Sequence, residues 1–392
     1  MRKWLKRLFG GLLALLGLAA AYDVLTYSPS AWLSDYGRVK RDMAQGYANL
    51  DWIVEKRGLD LPELDRRTTD KLRSAHSHVR AFLALQDFVG AFRDPHLELS
   101  QETRLEEPLP AAEGDSAAGS DCASAGYSAD TGEFNGSLPK LPGWRPLPGA
   151  SFPAAVTGKT GFLRIGSFSE TRYAAACERA FRPGIGERAL QLATRSVLQS
   201  ELRARFEALR KAGATRLVVD LTGNGGGSEW STEAAALFTP RRLQRRMRLL
   251  VGPSCDRSAV WQGRPPPCAV FAPAEQELEA LQGLGAWSGP VLILSDRGTA
   301  SAAEEFIVWL HGSKAATLIG ERTMGAGCGY VDGGNPSYLK AVPLALRMPN
   351  CARFLLDGTN EIEGSKPDVE LPMKGDDARF AAGLRQALGG SF

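Results

Sequence analysis

Val291-Leu-Ile-Leu294, Ser295-Asp-Arg-Gly298 and Thr299-Ala-Ser-Ala-Ala-Glu304 follow one another without a gap: an apolar run, a turn and the start of an amphipathic helix. Four apolar residues in a row, bounded by turn residues, read as a strand buried on both faces. A serine at such a strand-to-helix turn, Ser301 here, sits among backbone N–H groups that have no partner within the helix. A hydroxyl beside fixed N–H donors is what acyl transfer requires. The same residues also read as a capping box, because Glu304 stands three positions after Ser301 and would serve those N–H groups with no chemistry involved.

Working outward, the same alternation recurs. Thr160-Gly-Phe-Leu-Arg-Ile-Gly-Ser-Phe168 is β-like, Leu198, Leu202, Phe206 and Leu209 mark one face of a helix stopped by Gly213, and Leu217-Val-Val-Asp-Leu221 is a second buried strand. Strand, helix, strand at this spacing predicts a parallel crossover. Thr222-Gly-Asn-Gly-Gly-Gly227 leads into a helical run through Glu233-Ala-Ala-Ala-Leu237, and after the helix from 300 to 311 comes Ala315-Ala-Thr-Leu-Ile319, again strand-like. Strands such as Tyr338 to Leu344 are expected to close the sheet. The fold class is α/β (α+β). The glycine run reads as a turn or an anion cradle, and no Lys-Ser/Thr follows it as a phosphate loop requires.

The N-terminal part is helical in pattern. A first helix is expected over Ser34 to Arg57, ending at Gly58, and Leu72, Ala75, Val79, Phe82, Leu83 and Val89 mark one face of a later helical stretch. It ends in Phe92-Arg-Asp-Pro-His96, where Pro95 forces the chain out of helix. Residues 100–157 shift to Ala, Gly, Ser, Pro and acidic residues and read as a low-complexity linker or insertion too short for a PDZ-type domain. The expected organisation is 1–21 as signal peptide or N-terminal anchor, 30–99 as a helical region, 100–157 as the linker or insertion, and 158–392 as the catalytic domain.

Met1-Arg-Lys-Trp-Leu-Lys-Arg7 is a basic start, Leu8 to Leu18 is apolar, and Ala19-Ala-Ala21 fits a small-residue cleavage site. The apolar run is short of the roughly 20 residues that span a bilayer, so a membrane tether is the second reading. Either way the remainder is expected to be exported, to the periplasm or the extracellular space. Without Arg2, Lys3, Lys6 and Arg7 the formal charge changes from +3 to −1, so no electrostatic reason remains to expect nucleic acid. The basic run Arg241-Arg-Leu-Gln-Arg-Arg-Met-Arg248 reads as the solvated face of a strand. Six cysteines behind an export signal predict disulfides. Cys255–Cys268 is preferred because it closes a Pro-rich loop, followed by Cys328–Cys351 and Cys122–Cys177. No CxxC or Cys/His spacing implies a metal, and nothing implies an organic cofactor.

Three stretches carry a resemblance: Gly161-Phe-Leu-Arg-Ile165, Val219-Asp-Leu-Thr-Gly-Asn-Gly-Gly-Gly227, and Thr299-Ala-Ser-Ala-Ala-Glu304 with Ile319-Gly-Glu-Arg-Thr-Met-Gly325, followed by Gly364-Ser-Lys-Pro-Asp368. In this order they resemble the C-terminal-processing (tail-specific) protease and tricorn-core family of serine peptidases over roughly 160–372. The resemblance implies a ClpP/crotonase-like β–α spiral, Ser301 as nucleophile, and the backbone N–H groups of Ala302 and Gly226 as oxyanion donors. Where the processing proteases carry an activating lysine, this chain has Ala326, and an alanine cannot take a proton. The tricorn-like branch uses a histidine ahead of the catalytic domain and a late glutamate. Asp94-Pro-His96-Leu matches the first and Glu361 the second, with Glu363 as the neighbouring choice. The function implied is an exported serine peptidase acting on peptide or unfolded protein. The alternative is a catalytically inactive relative that binds peptide or lipid ligands.

Overall fold

The structure, a computed structural model, describes residues 2–101, 117–129, 132–149, 151–271, 273, 275–390 and 392. The stretch 102–116, which carries part of the expected linker, lies outside the described residues. The chain divides into two compact units: Met1–Glu107 with Leu249–Phe271 and Gly329–Ala352, and Pro108–Arg248 with Ala272–Cys328 and Arg353–Phe392. Residues 249–271 and 329–352, expected inside the catalytic domain, therefore cluster with the N-terminal part.

In the larger unit, seven strands form one sheet: β1 (Arg145–Leu147), β2 (Ala154–Thr157), β3 (Thr160–Arg164), β4 (Arg216–Asp220), β5 (Val291–Ser295), β6 (Thr317–Gly320) and β7 (Val369–Glu370). Their spatial order is their chain order. The first three run as an antiparallel meander, and β3 to β7 are parallel. The fold is mixed α/β, as the alternation predicts, and β1 and β2 place part of the expected 100–157 linker in the sheet. Neither strand is legible in the sequence, because three or four residues containing Pro or Ala carry no readable period.

Period 2 explains the apolar runs. Leu217 and Val219 of β4, with Val291 and Ile293 of β5, face one core; Val218, Leu292 and Leu294 face another. The first core is covered by the helix Glu187–Lys211, whose Leu198, Leu202, Phe206 and Leu209 are fully buried as their spacing predicts, and by Trp230–Leu237 and Ala302–Gly312. The second is covered by Asp377–Ala387 through Phe380 and Leu384. A sheet buried on both faces needs continuous rather than alternating hydrophobicity, and β5 has it. The run Arg241–Arg248 departs from expectation: in the strand Arg242–Arg246, paired with Leu278–Gln282, Arg245 turns inward and is buried.

In the smaller unit the expected helix over 34–57 is two, Pro29–Gly46 and Leu50–Glu55, and the later stretch is also two, Leu61–Arg73 and His78–Gly90. The second break changes which face is inside. Ser77 accepts the Arg80 N–H at 3.2 Å and starts a new helix. The new phase buries Ala81, Ala84, Leu85 and Phe88 and leaves Val79 58% and Leu83 51% exposed. Tyr338 to Leu344 does not continue the large sheet; Ser337–Tyr338 and Glu98–Ser100 flank Ala345–Arg347 in a small antiparallel sheet of this unit. The Cys255–Cys268 disulfide closes its Pro-rich loop, and Arg257 within that loop donates to Asp51 Oδ2 at 2.9 Å and to the carbonyls of Ala44 and Tyr47. Cys122–Cys177 forms in the larger unit, and none of the cysteines is a free thiol. Among the described residues no helix, including Arg2–Leu25, is long and apolar enough to cross a membrane.

Candidate active site

At the carboxyl end of β5 the chain turns through Asp296, whose Oδ1 accepts the N–H groups of Gly298 (2.9 Å) and Gly223 (2.8 Å). Thr299 donates its hydroxyl to the Leu221 carbonyl at 3.0 Å, and the Ala300 N–H donates to the Asn224 carbonyl at 2.9 Å. The turn after β5 is thereby sewn to the glycine run after β4. Ser301 is then held at φ 55°, ψ −119°, a region a non-glycine residue enters only when its surroundings impose it, at a cost of about 1–3 kcal/mol.

The glycine run lies directly against this serine. A Cβ on Gly226 would stand 2.7 Å from the Ala302 nitrogen, 2.8 Å from the Ala300 oxygen and 2.8 Å from the Ser301 Cβ, and Gly226 has φ 101°. Ala302 opens the helix Ala302–Gly312, so its N–H lies outside the i→i−4 ladder. Gly226, far away in the chain, is thereby brought against the consecutive residues Ser301 and Ala302. The Gly226 N–H donates to Asn224 Oδ1 at 2.9 Å in this conformation. Asn224, wholly buried, also donates to the Ile165 carbonyl at 3.0 Å, and so fixes the run on both sides. Were the Gly226 N–H an oxyanion donor, Gly226→Ala would cut turnover by roughly 10²–10³, the loss that follows displacement of one such donor. Measured kcat/KM beside the melting temperature checks this, because the strain should cost only a few kcal/mol.

Ser301 and Glu304 do form a capping box, but Glu304 is not an ordinary surface cap. It is wholly buried, and its carboxylate accepts the N–H groups of Ser301 (2.9 Å), Gly325 (2.8 Å), Ala326 (2.9 Å) and Gly327 (3.2 Å) and the Thr323 hydroxyl (2.5 Å). Burial pushes this carboxyl up, against the pull of those donors. The loop 323–327, with the buried Ala326, is hung from the first turn of the helix that follows Ser301.

That loop lies on the segment carrying Glu361. A Cβ on Gly325 would meet the Ile362 carbonyl at 2.3 Å, and one on Gly327 the Ile362 nitrogen at 3.5 Å. Glu361 is wholly buried, whereas Glu363 is only partly so. Its Oε2 accepts Arg353 Nε at 2.7 Å, and its Oε1 is buried with no hydrogen-bond partner among the described residues. Burial raises this carboxyl to about 7, the Arg353 charge pulling it down and Glu304 pushing it further up. An ionised buried carboxylate costs more than its ion pair returns, so burial decides the direction.

His96 belongs to the other unit, where it is half-buried in a turn. Asp94 Oδ1 accepts the His96 N–H at 2.9 Å, and its Oδ2 accepts the Tyr47 hydroxyl (2.8 Å) and Asn49 Nδ2 (2.9 Å). Tyr330 donates its hydroxyl to the His96 carbonyl and packs edge-on to its ring at 5.2 Å. Gly329 lies under the ring, where a Cβ would approach its Cε1 to 2.8 Å. His76 is exposed, His78 accepts from Trp32 Nε1 at 3.1 Å, and His311 pairs with Asp368 at the far end of its helix. Glu304, Asn224 and Arg353 were not foreseen as parts of the site; the Glu304 spacing alone signalled a contact, and that was with Ser301.

Among the described residues no cluster of His, Cys, Asp and Glu could hold a metal ion. Residues 159–371, just over half of the chain, match peptidase family S41. No curated protein sequence matches the chain. Among solved structures, mature CPAF is 16% identical with a TM-score of 0.61, over 92% of this chain and 96% of that one. A protein from Parabacteroides merdae ATCC 43184 is 17% identical with a TM-score of 0.58, over 93% and 96%. At such identities the likeness is one of fold.

Proposed function

The chain belongs to peptidase family S41, and from that membership we propose that it is an exported serine peptidase cleaving unfolded or C-terminal polypeptide segments, with Ser301 as nucleophile, His96 as base and Glu361 as orienter of the base. The observation that carries this reading is the backbone of Ser301, strained at φ 55° and pressed against Gly226. A helix cap needs neither feature, whereas a nucleophile aimed at backbone donors needs both.

The steps follow from the residues. The Ser301 hydroxyl attacks the amide carbonyl as His96 takes its proton, and the oxyanion is met by the Ala302 N–H and by the Gly226 N–H, shared with Asn224. His96 returns the proton to the leaving amine, and water repeats the sequence to free the acyl group. Glu361 supports this role because one of its oxygens is held by Arg353 while the other has no partner among the described residues. The disulfides Cys122–Cys177 and Cys255–Cys268 support an oxidising compartment. The substrate is peptide or unfolded protein, and no cofactor enters.

Two measurements test the roles. His96→Ala should reduce turnover about as far as Ser301→Ala, because members of such a unit fail together; near-normal turnover in His96→Ala removes it as the base. The orienting carboxyl works only when ionised, so kcat/KM should fall as the pH drops through about 7, where Glu361 takes up its proton. A profile flat from pH 5 to 8 counts against Glu361.

A further inference from the structure

Arg353 is nearly as buried as the carboxylate it meets, with its side chain 4% exposed against 0% for Glu361. It holds Glu361 twice: its Nε donates to Oε2 at 2.7 Å, and its carbonyl accepts the Glu361 N–H at 3.0 Å. The other side of the guanidinium, Nη1, lies 3.4 Å from Glu305 Oε2. Glu305 is itself fixed, by Arg245 and by the Thr232 hydroxyl at 2.9 Å, and Arg245 lies 4.3 Å above the Trp309 ring and pairs with Glu279 at 2.7 Å. Glu305 occupies the first turn of the helix that follows Ser301.

We infer that Arg353 is a positioning residue for peptide hydrolysis, transmitting the place of the nucleophile's helix to Glu361 by bridging Glu305 and Glu361. The inference rests on the reading of Glu361 as the orienter. One turn of helix then sets two parts of the site: Glu304 fixes the Ser301 elbow and the 323–327 loop, and Glu305, through Arg353, fixes the acid. A purely stabilising role explains the arrangement less well, because a buried ion pair is often no more stable than an apolar replacement of the same volume. Two carboxylates met from two sides at once require the planar fork of an arginine, which a lysine cannot supply.

The charged groups facing Glu361 are Arg353, Glu304 and Glu305; the first pulls its carboxyl down and the other two push it up. Burial also pushes Glu305 up, yet Arg353 and Arg245 hold it down to about 2, so it stays charged throughout the working range. These signs define the experiment, which is the pH profile of kcat/KM on an unstructured peptide. Arg353→Gln removes the positive charge, so the acid limb should move to higher pH, with a loss below it of about tenfold for each unit moved. Arg353→Lys keeps the charge and should return the limb to its original place, at a reduced plateau rate. Should Arg353→Gln not fold, Glu305→Gln serves instead: removing a negative charge that faces Glu361 should move the limb to lower pH.

An unmoved limb in the folded Arg353→Gln protein, or in Glu305→Gln where that variant is the one tested, overturns the inference. Glu361→Gln separates this failure from that of the underlying reading. Wild-type turnover in Glu361→Gln removes the acid, and both fall. An inactive Glu361→Gln beside an unmoved Arg353→Gln profile overturns the role of Arg353 alone.

Discussion

Ser301→Ala is expected to lower kcat/KM on an unstructured peptide by about 10⁶-fold, the scale on which a nucleophile's loss acts when the rest of its unit remains. The fold should survive. The substituted side chain removes one cap contact, worth about 0.5–2 kcal/mol. The Ser301 N–H keeps its acceptor, since Glu304 holds it at 2.9 Å through the backbone, and the glycine run keeps its bonds to Asn224 and Ala300. Thermal unfolding and peptide hydrolysis measured on the same preparation separate the two effects. A variant that has lost its fold would instead make Ser301 a structural cap.

Glu304→Ala should produce the largest loss of stability among single changes near the site. Five donors converge on that carboxylate, four of them backbone N–H groups, and each buried donor left without a partner costs about 1–3 kcal/mol. Even with water reaching some of them, a loss of at least about 4 kcal/mol is expected in denaturant unfolding. Hydrogen exchange should rise first at residues 323–327, which hang from this side chain. Glu304→Gln should fall between the two, since its amide keeps one acceptor oxygen but turns a donor toward other donors. Unchanged exchange in the 323–327 loop of Glu304→Ala would contradict the anchoring role.

The parallel strands and the long helix were legible because burial on both faces writes an unbroken apolar run, as in Val291 to Leu294, and because a 25-residue helix repeats its period often enough to be read. The face of His78–Gly90 was not, because the break at Ser77 resets a phase that a continuous count carries through. The Ser301 turn and the glycine run were each visible as local motifs. Their contact came only with the family resemblance and not from either motif, for it depends on β4 and β5 lying side by side. Arg353 and Arg245 left no trace, since a buried arginine is identified by its partners, here Glu361, Glu305 and Glu279, and no spacing in the chain records them. The same holds for the segments 249–271 and 329–352, whose place in the smaller unit follows from packing rather than from composition.

A fluorophosphonate probe reacts with a serine only where a base and oxyanion donors activate it. Folded wild-type protein should be labelled on the peptide containing Ser301, and the label should vanish in Ser301→Ala protein of unchanged melting temperature. Folded wild-type protein that takes up no label, across pH 6 to 9, would contradict an activated serine at this turn and leave a binding protein in its place.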